Sequence, residues 1–235
     1  MQAPAGSAIA RVFVWAGTLL FAASLLYCFL TYETTMGRRV TGSVAWPTAV
    51  DAVLFSVFAL HHSVFARERV RLLVRLVTPN GMERSVYVWI ASAMLIAVCA
   101  LWQPVPGTAW QASGAGVWLL RAVQVGGVWL TMRSAAAIDI FSLAGIRQPD
   151  ADRAPEEFKT ASPYGWVRHP IYSGWFAIVF AEPTMTATRL VFAAVSGLYL
   201  LIAIPLEEGS LRATTGGAYE RYEQAVRWKL VPKIY

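Results

Sequence analysis

Four stretches of this chain run for roughly 20 residues with few charges, the length a helix needs to cross a hydrocarbon core about 30 Å thick. They extend from Ala8 to Tyr32, Thr48 to Ala66, Ser85 to Gln103 and Gly116 to Ala137. A fifth apolar run, Ile171 to Ala181, is shorter and stops at Glu182-Pro183; a sixth runs from Thr188 to Leu206. The last two suit a helical hairpin turning at "EPTMT". Lipid offers no partner to a backbone N–H or C=O, so segments of this kind cross as helices. The expected fold class is all-α: a polytopic integral membrane helical bundle of five to six transmembrane helices, with 1–235 forming one domain.

Composition agrees. Hydrophobic residues make up 57% of the chain and charged residues 14%, against about 25% charged in a soluble domain. The net charge of +6 does not point to nucleic acid. The basic residues cluster at the ends of apolar segments, where anionic headgroups lie, and form no separate basic stripe. Membrane lipids are therefore the expected partners. Cys28 and Cys99 each sit inside an apolar run without a CxxC partner. They read as buried small residues, with no disulfide or metal role.

Basic residues also set an orientation. Arg67, Arg69, Arg71, Arg75 and Arg84 follow the second span. Arg133, Arg147, Arg153, Lys159 and Arg168 follow the fourth, and Arg212, Arg221, Arg227, Lys229 and Lys233 occupy the tail. With Arg11 these are sixteen of the twenty basic residues. Six segments with both termini in the cytoplasm satisfy the count. Tyr219, Tyr222 and Val226 recur at helical spacing, so the tail is expected to form an amphipathic helix on the cytosolic surface.

Two polar stretches then share the cytosolic face. In "VRHPIYSGW", residues 167–175, Pro170 suits the first turn of a helix. Arg168 and His169 beside it read either as a surface anchor or as anion donors at a helix N-terminus. In "PLEEGSL", residues 205–211, Glu207 and Glu208 close the last apolar run. Either both carboxylates lie in water, or one turns inward to hold a cation, because a charge in the membrane needs a partner. Donors and acceptors on one face suit a zwitterion such as an amino-acid end group.

"SPYGWVRHPIYSGW", "LEEGSL" and "GGAYERYEQAV", in that order, resemble the C-terminal signature of the membrane methyltransferases related to isoprenylcysteine carboxyl methyltransferase and phospholipid N-methyltransferases. The region 144–232 carries this signature. "HSVFAR", "ERSVYV", "AGIRQ" and "EPTMT" look like the bacterial methanethiol S-methyltransferase branch. The resemblance implies a cofactor, S-adenosyl-L-methionine, bound without a Rossmann domain, and methyl transfer by direct displacement to a small hydrophobic thiol or lipid-like acceptor.

By that resemblance, Tyr164 opens the cofactor motif. Arg168, His169, Pro170 and Tyr172 form its core, and Gly174 keeps the helix thin where cofactor or backbone passes. Glu207 matches the acidic residue beside the cofactor, Glu208 is its neighbour, and Gln148 lies near a polar contact. His62, as an ionisable residue inside a span, is the candidate catalytic base or else a packing hydrogen bond. Arg67 closes the same "HSVFAR" stretch and is carried as its catalytic partner, or as part of an interfacial basic helix. The isoprenylcysteine enzymes carry an arginine one turn before the acidic pair; Ala203 stands there in this chain, which disfavours a carboxylate acceptor. The alternatives are an isoprenylcysteine carboxyl or phospholipid amine methyltransferase and, in another class, a non-catalytic membrane scaffold or transporter-like protein.

Overall fold

The computed structural model describes residues 8–65, 70, 73, 74, 76, 78, 82–138, 146 and 163–235. Among them, five helices are long and apolar enough to cross a membrane. They are α1 (Ala8–Glu33), α2 (Ala45–Phe65), α3 (Glu83–Leu101), α4 (Ala115–Ile138) and α6 (Ala187–Thr214). Two shorter helices are α5 (Pro170–Phe180) and α7 (Ala218–Ala225). The protein is thus a polytopic helical membrane protein. Many large apolar side chains, among them Ile9, Leu19, Trp118 and Leu201, are exposed, while Ser24, Asp51, Ser92, Gln124 and Ser134 are buried. That inversion is the expected one when the solvent is lipid.

The helical picture needs one addition. Strand β1 (Thr108–Gln111) pairs with β2 (Thr184–Thr186), and the Ala112 N–H donates to the Pro183 carbonyl at 2.8 Å. The "EPTMT" turn is therefore a strand, held by the chain that follows α3. The 11-residue α5 rises only about 16 Å, so a crossing at α5 needs the chain flanking it as well.

The described residues form two compact units, one containing 8–107 and 186–191, the other 108–138, 163–185 and 192–235. In the first, α1 and α3 pack closely. Gly17 allows this: a Cβ there would lie 2.7 Å from Trp89 Nε1, which donates to the Phe13 carbonyl at 3.1 Å. The unit is tied at one end by Arg189. Its guanidinium donates to the Tyr32 and Glu33 carbonyls at 2.9 and 2.6 Å, capping the last turn of α1, where unpaired carbonyls favour a cation. Thr186 donates to the Met36 carbonyl, and the Gln103 N–H donates to buried Asp51.

In the second unit α4 and α5 run antiparallel. Their crossing is a small-residue contact: a Cβ on Gly127 would meet the Gly174 carbonyl at 2.8 Å. At one end of that pair the buried Glu182 carboxylate accepts from Arg121, Gln124 and the Thr184 N–H. Polar groups inside a span are tolerated when they are saturated in this way.

Candidate active site

The site is assembled at the start of α5 and the end of α6. His169 is the residue before the helix and Pro170 its first residue, where the missing N–H of proline leaves nothing unsatisfied. Helix α6 continues past Leu206 to Thr214, eight residues beyond its apolar run, so Glu207 and Glu208 lie on the helix and not after it. Consecutive helical positions diverge by about 100°. The two carboxylates accordingly face different surroundings.

Glu208 is 1% exposed. Arg168 Nε donates to it at 2.8 Å and His169 Nε2 lies 3.2 Å away. Arg212 and Lys229 stand at 3.6 and 3.7 Å. Arg168 is fully engaged: Nη1 donates to the Val226 and Arg227 carbonyls, both at 2.9 Å. Burial opposes its charge, yet the hydrogen bond to Glu208 and the charges of Glu208 and Glu223 outweigh that and hold it above its usual range. The backbone N–H groups of Arg168 and His169 donate to the Trp228 and Lys229 carbonyls. Ser173 donates to the Leu230 carbonyl at 2.6 Å. These donors, read from the sequence either as a surface anchor or as anion donors, clasp the C-terminal segment against α5.

Glu207 is different. Its side chain is 48% exposed, with His169 Nδ1 at 3.7 Å, and the Tyr172 hydroxyl donates to it at 2.9 Å. The His169 and Tyr172 rings stack at 5.3 Å. Burial pushes the imidazole below its ordinary range, and the two glutamates only partly pull it back. A neutral ring has a single N–H; donated from Nε2 it reaches Glu208 at 3.2 Å, and the 3.7 Å between Nδ1 and Glu207 is too long for a hydrogen bond. Tyr164 closes this side; its hydroxyl is raised by burial, then by Tyr222 and Glu207, and its carbonyl accepts from Tyr222 at 2.8 Å. An accessible carboxylate flanked by aromatic rings suits a cation. The residues therefore fit the cationic part of an amino-acid ligand. Its carboxylate needs partners other than the Arg168 guanidinium, which the tail occupies.

Gly174 has a packing role. A Cβ there would collide with Thr131 Oγ1 and lie 2.7 Å from the Gly127 carbonyl, so what passes this glycine is the backbone of α4. His62 lies on α2 in the other unit, with Nδ1 2.7 Å from the Tyr87 hydroxyl. Arg67 and Gln148 lie outside the described residues. Sequence reasoning did not single out Arg212, Glu223 or Lys229 as members of the cluster. Only Arg212 carries a local signal, four residues after Glu208 and so on its helix face.

No family model matches the chain, and no solved structure matches it. Curated proteins do. A methanethiol S-methyltransferase of Crocosphaera subtropica is 33% identical over 99% of this chain and 97% of its own length. One from Pseudomonas deceptionensis is 37% identical over 77% of this chain and 72% of its own. Nurim of Pan troglodytes, a more distant relative, is 27% identical over 72% of this chain and 70% of its own. Identity of 33% along nearly the whole of both chains shows that this helical membrane protein belongs to the methanethiol S-methyltransferase family.

Proposed function

We propose that this membrane methyltransferase takes its methyl group from S-adenosyl-L-methionine and passes it to a small hydrophobic thiol, of which methanethiol, named for the relatives, is the first candidate. When bound, that donor supplies a methyl group on a sulfonium, already activated for displacement. The protein's task is then alignment and exclusion of water. The observation that supports the reading is Glu207, half-exposed and fixed by Tyr172 and His169. It would hold the donor's ammonium, with Tyr164 and Tyr172 against the adenine. Glu208 and Arg168 would keep this wall rigid, with Pro170 starting the helix that carries it. Gln148, by the family resemblance, would add a polar contact.

A thiol is mostly protonated near neutrality and reacts as thiolate. His62, assisted by Arg67, is proposed as the base side of the reaction. The active site is proposed to face the cytoplasm across a bacterial inner membrane, since sixteen of the basic residues fall to that side.

The test is a methyl-transfer assay on purified protein with methanethiol, longer alkyl thiols, a prenylcysteine analogue and phosphatidylethanolamine. Thiols should be methylated and the carboxylate and amine should not. Turnover of the prenylcysteine carboxylate in place of thiols would reject the reading. Calorimetric titration with the donor answers the scaffold alternative: folded protein that fails to bind it is not this enzyme.

A further inference from the structure

We infer that the outer face of segment 226–235 binds anionic phospholipid headgroups, and that this contact steadies the Glu207 site. The effect on the site rests on the donor-binding reading above. The segment follows α7 and runs past the start of α5 with two faces. Val226 and Leu230 are buried, whereas Arg227, Val231, Lys233, Ile234 and Tyr235 are exposed. Its inner side is tied down. The carbonyls of Val226, Arg227, Trp228, Lys229 and Leu230 all accept from Arg168, His169 or Ser173. Its far end is closed on itself. The N–H groups of Lys229, Leu230 and Val231 converge on the Tyr235 main-chain oxygen at 2.8, 2.8 and 3.1 Å. Within this turn Lys233 takes a φ of 66°, a left-handed conformation uncommon outside glycine. The exposed cations and apolar side chains are thus presented together by a fixed piece of backbone.

The chemistry of that outer face selects the partner. Glu208 and Glu223 are taken by Arg168, Arg212 and Lys229, and Lys229 also lies over the Tyr235 ring at 5.1 Å. Among the described residues, no ion pair engages Arg227 or Lys233. Two unneutralised cations beside exposed Val231 and Ile234 suit neither bulk water nor hydrocarbon. At a membrane surface the cationic heads meet phosphates while the apolar side chains enter the acyl boundary. Trp166 and Tyr235, both exposed, are the ring types that favour the same depth. The segment also belongs to the compact unit of α6, a helix long and apolar enough to span, and lies beyond its polar end. Soluble phosphate would engage the cations alone and leave the apolar residues in water. The path to the site is short. The Trp228 and Lys229 carbonyls hold the N–H groups of Arg168 and His169. The His169 ring stacks on Tyr172, whose hydroxyl holds Glu207. A lipid that fixes the segment restrains this series of contacts, so lipid and methyl donor favour each other's binding reciprocally.

The experiment places the full chain in nanodiscs of phosphatidylcholine alone or mixed with phosphatidylglycerol, and reads Tm and, by calorimetry, donor Kd. Phosphatidylglycerol should raise the wild-type Tm by about 2–4 °C and lower the donor Kd about fivefold. The double variant Arg227→Gln/Lys233→Gln should match wild type in phosphatidylcholine and lose both gains; Arg227→Lys, which keeps the charge, should retain them. An anionic bilayer also concentrates a cationic donor near its surface, and the double variant shares that effect. Gains that persist in the double variant would therefore overturn the inference, as would a wild-type Tm indifferent to phosphatidylglycerol. Should the double variant fail to fold, ionic strength decides: the wild-type Tm gain should vanish in high salt, where exposed charges are screened, and a gain that survives would reject the headgroup contact. The Tm comparison needs no donor. A wild type that binds no donor in either bilayer would remove the functional reading, and the effect on Glu207 with it, while the lipid surface would still stand or fall on Tm.

Discussion

At the scale of single residues, two adjacent glutamates should give opposite phenotypes. Glu208 is 1% exposed and surrounded by Arg168, His169, Arg212 and Lys229. Glu208→Gln removes the nearer of the two carboxylates that face the buried Arg168 guanidinium, leaving Glu223 at 3.6 Å, which costs about 3 kcal/mol and should appear as a clear fall in Tm in detergent. Glu207→Gln, at a half-exposed position, should change stability by less than about 0.5 kcal/mol. It should weaken donor binding about tenfold or more, the loss of one charge-assisted hydrogen bond, measured by calorimetry. A second residue-scale effect concerns pH. Burial lowers the His169 pKa in the folded protein, so the unfolded state binds the proton more readily. That contribution is complete above the unfolded value of about 6.5 and is lost as pH falls below it. Stability should therefore decline between about pH 7 and 5, and more weakly in His169→Asn. The "RHP" and "EE" residues were legible in the sequence because charges at the end of an apolar run need an explanation. Which glutamate turns inward was not legible, since that depends on the rotation of α6 against a tail more than ten residues downstream.

At the scale of elements, the α4–α5 crossing makes a sharp prediction from two consecutive glycines. A Cβ on Gly127 would meet the Gly174 carbonyl at 2.8 Å and Ala177 Cβ at 2.9 Å. Backbone cannot yield as a side chain can, so Gly127→Ala should destabilise by about 1–3 kcal/mol through overpacking. Gly126 has open space around it; Gly126→Ala should instead stabilise the helix by about 0.5–1 kcal/mol. Thermal unfolding of the two variants checks both. The apolar runs located the five long helices to within a few residues, because hydropathy is a property of each segment alone. It failed at the end of α6. That helix continues through Pro205 and both glutamates to Thr214, because its acidic turn is neutralised by residues from other segments. The β1–β2 pairing was invisible for a related reason. Seven residues in two short pieces carry no periodicity that a sequence pattern could register.

At the scale of the whole molecule, charge bias bears on the orientation proposed above. Positive charge is retained on the cytoplasmic side of a membrane, and short loops obey this most strongly. The segment joining α1 and α2 holds Arg38 and Arg39, whereas the chain beyond α6 holds Arg221, Arg227, Lys229 and Lys233. The orientation proposed above therefore puts the first outside and the second inside. Ser43 and Gln224 are exposed positions in these two regions, and Cys28 and Cys99 are both buried, so single added thiols report cleanly. In intact cells, Ser43→Cys should react with a membrane-impermeant maleimide and Gln224→Cys should not until the cells are opened. The opposite pattern would turn the Glu207 site away from the cytosol, the compartment where a polar, permanently charged methyl donor must be collected. Since such a donor does not cross lipid unaided, that single reversal would leave the proposed reaction without its supply.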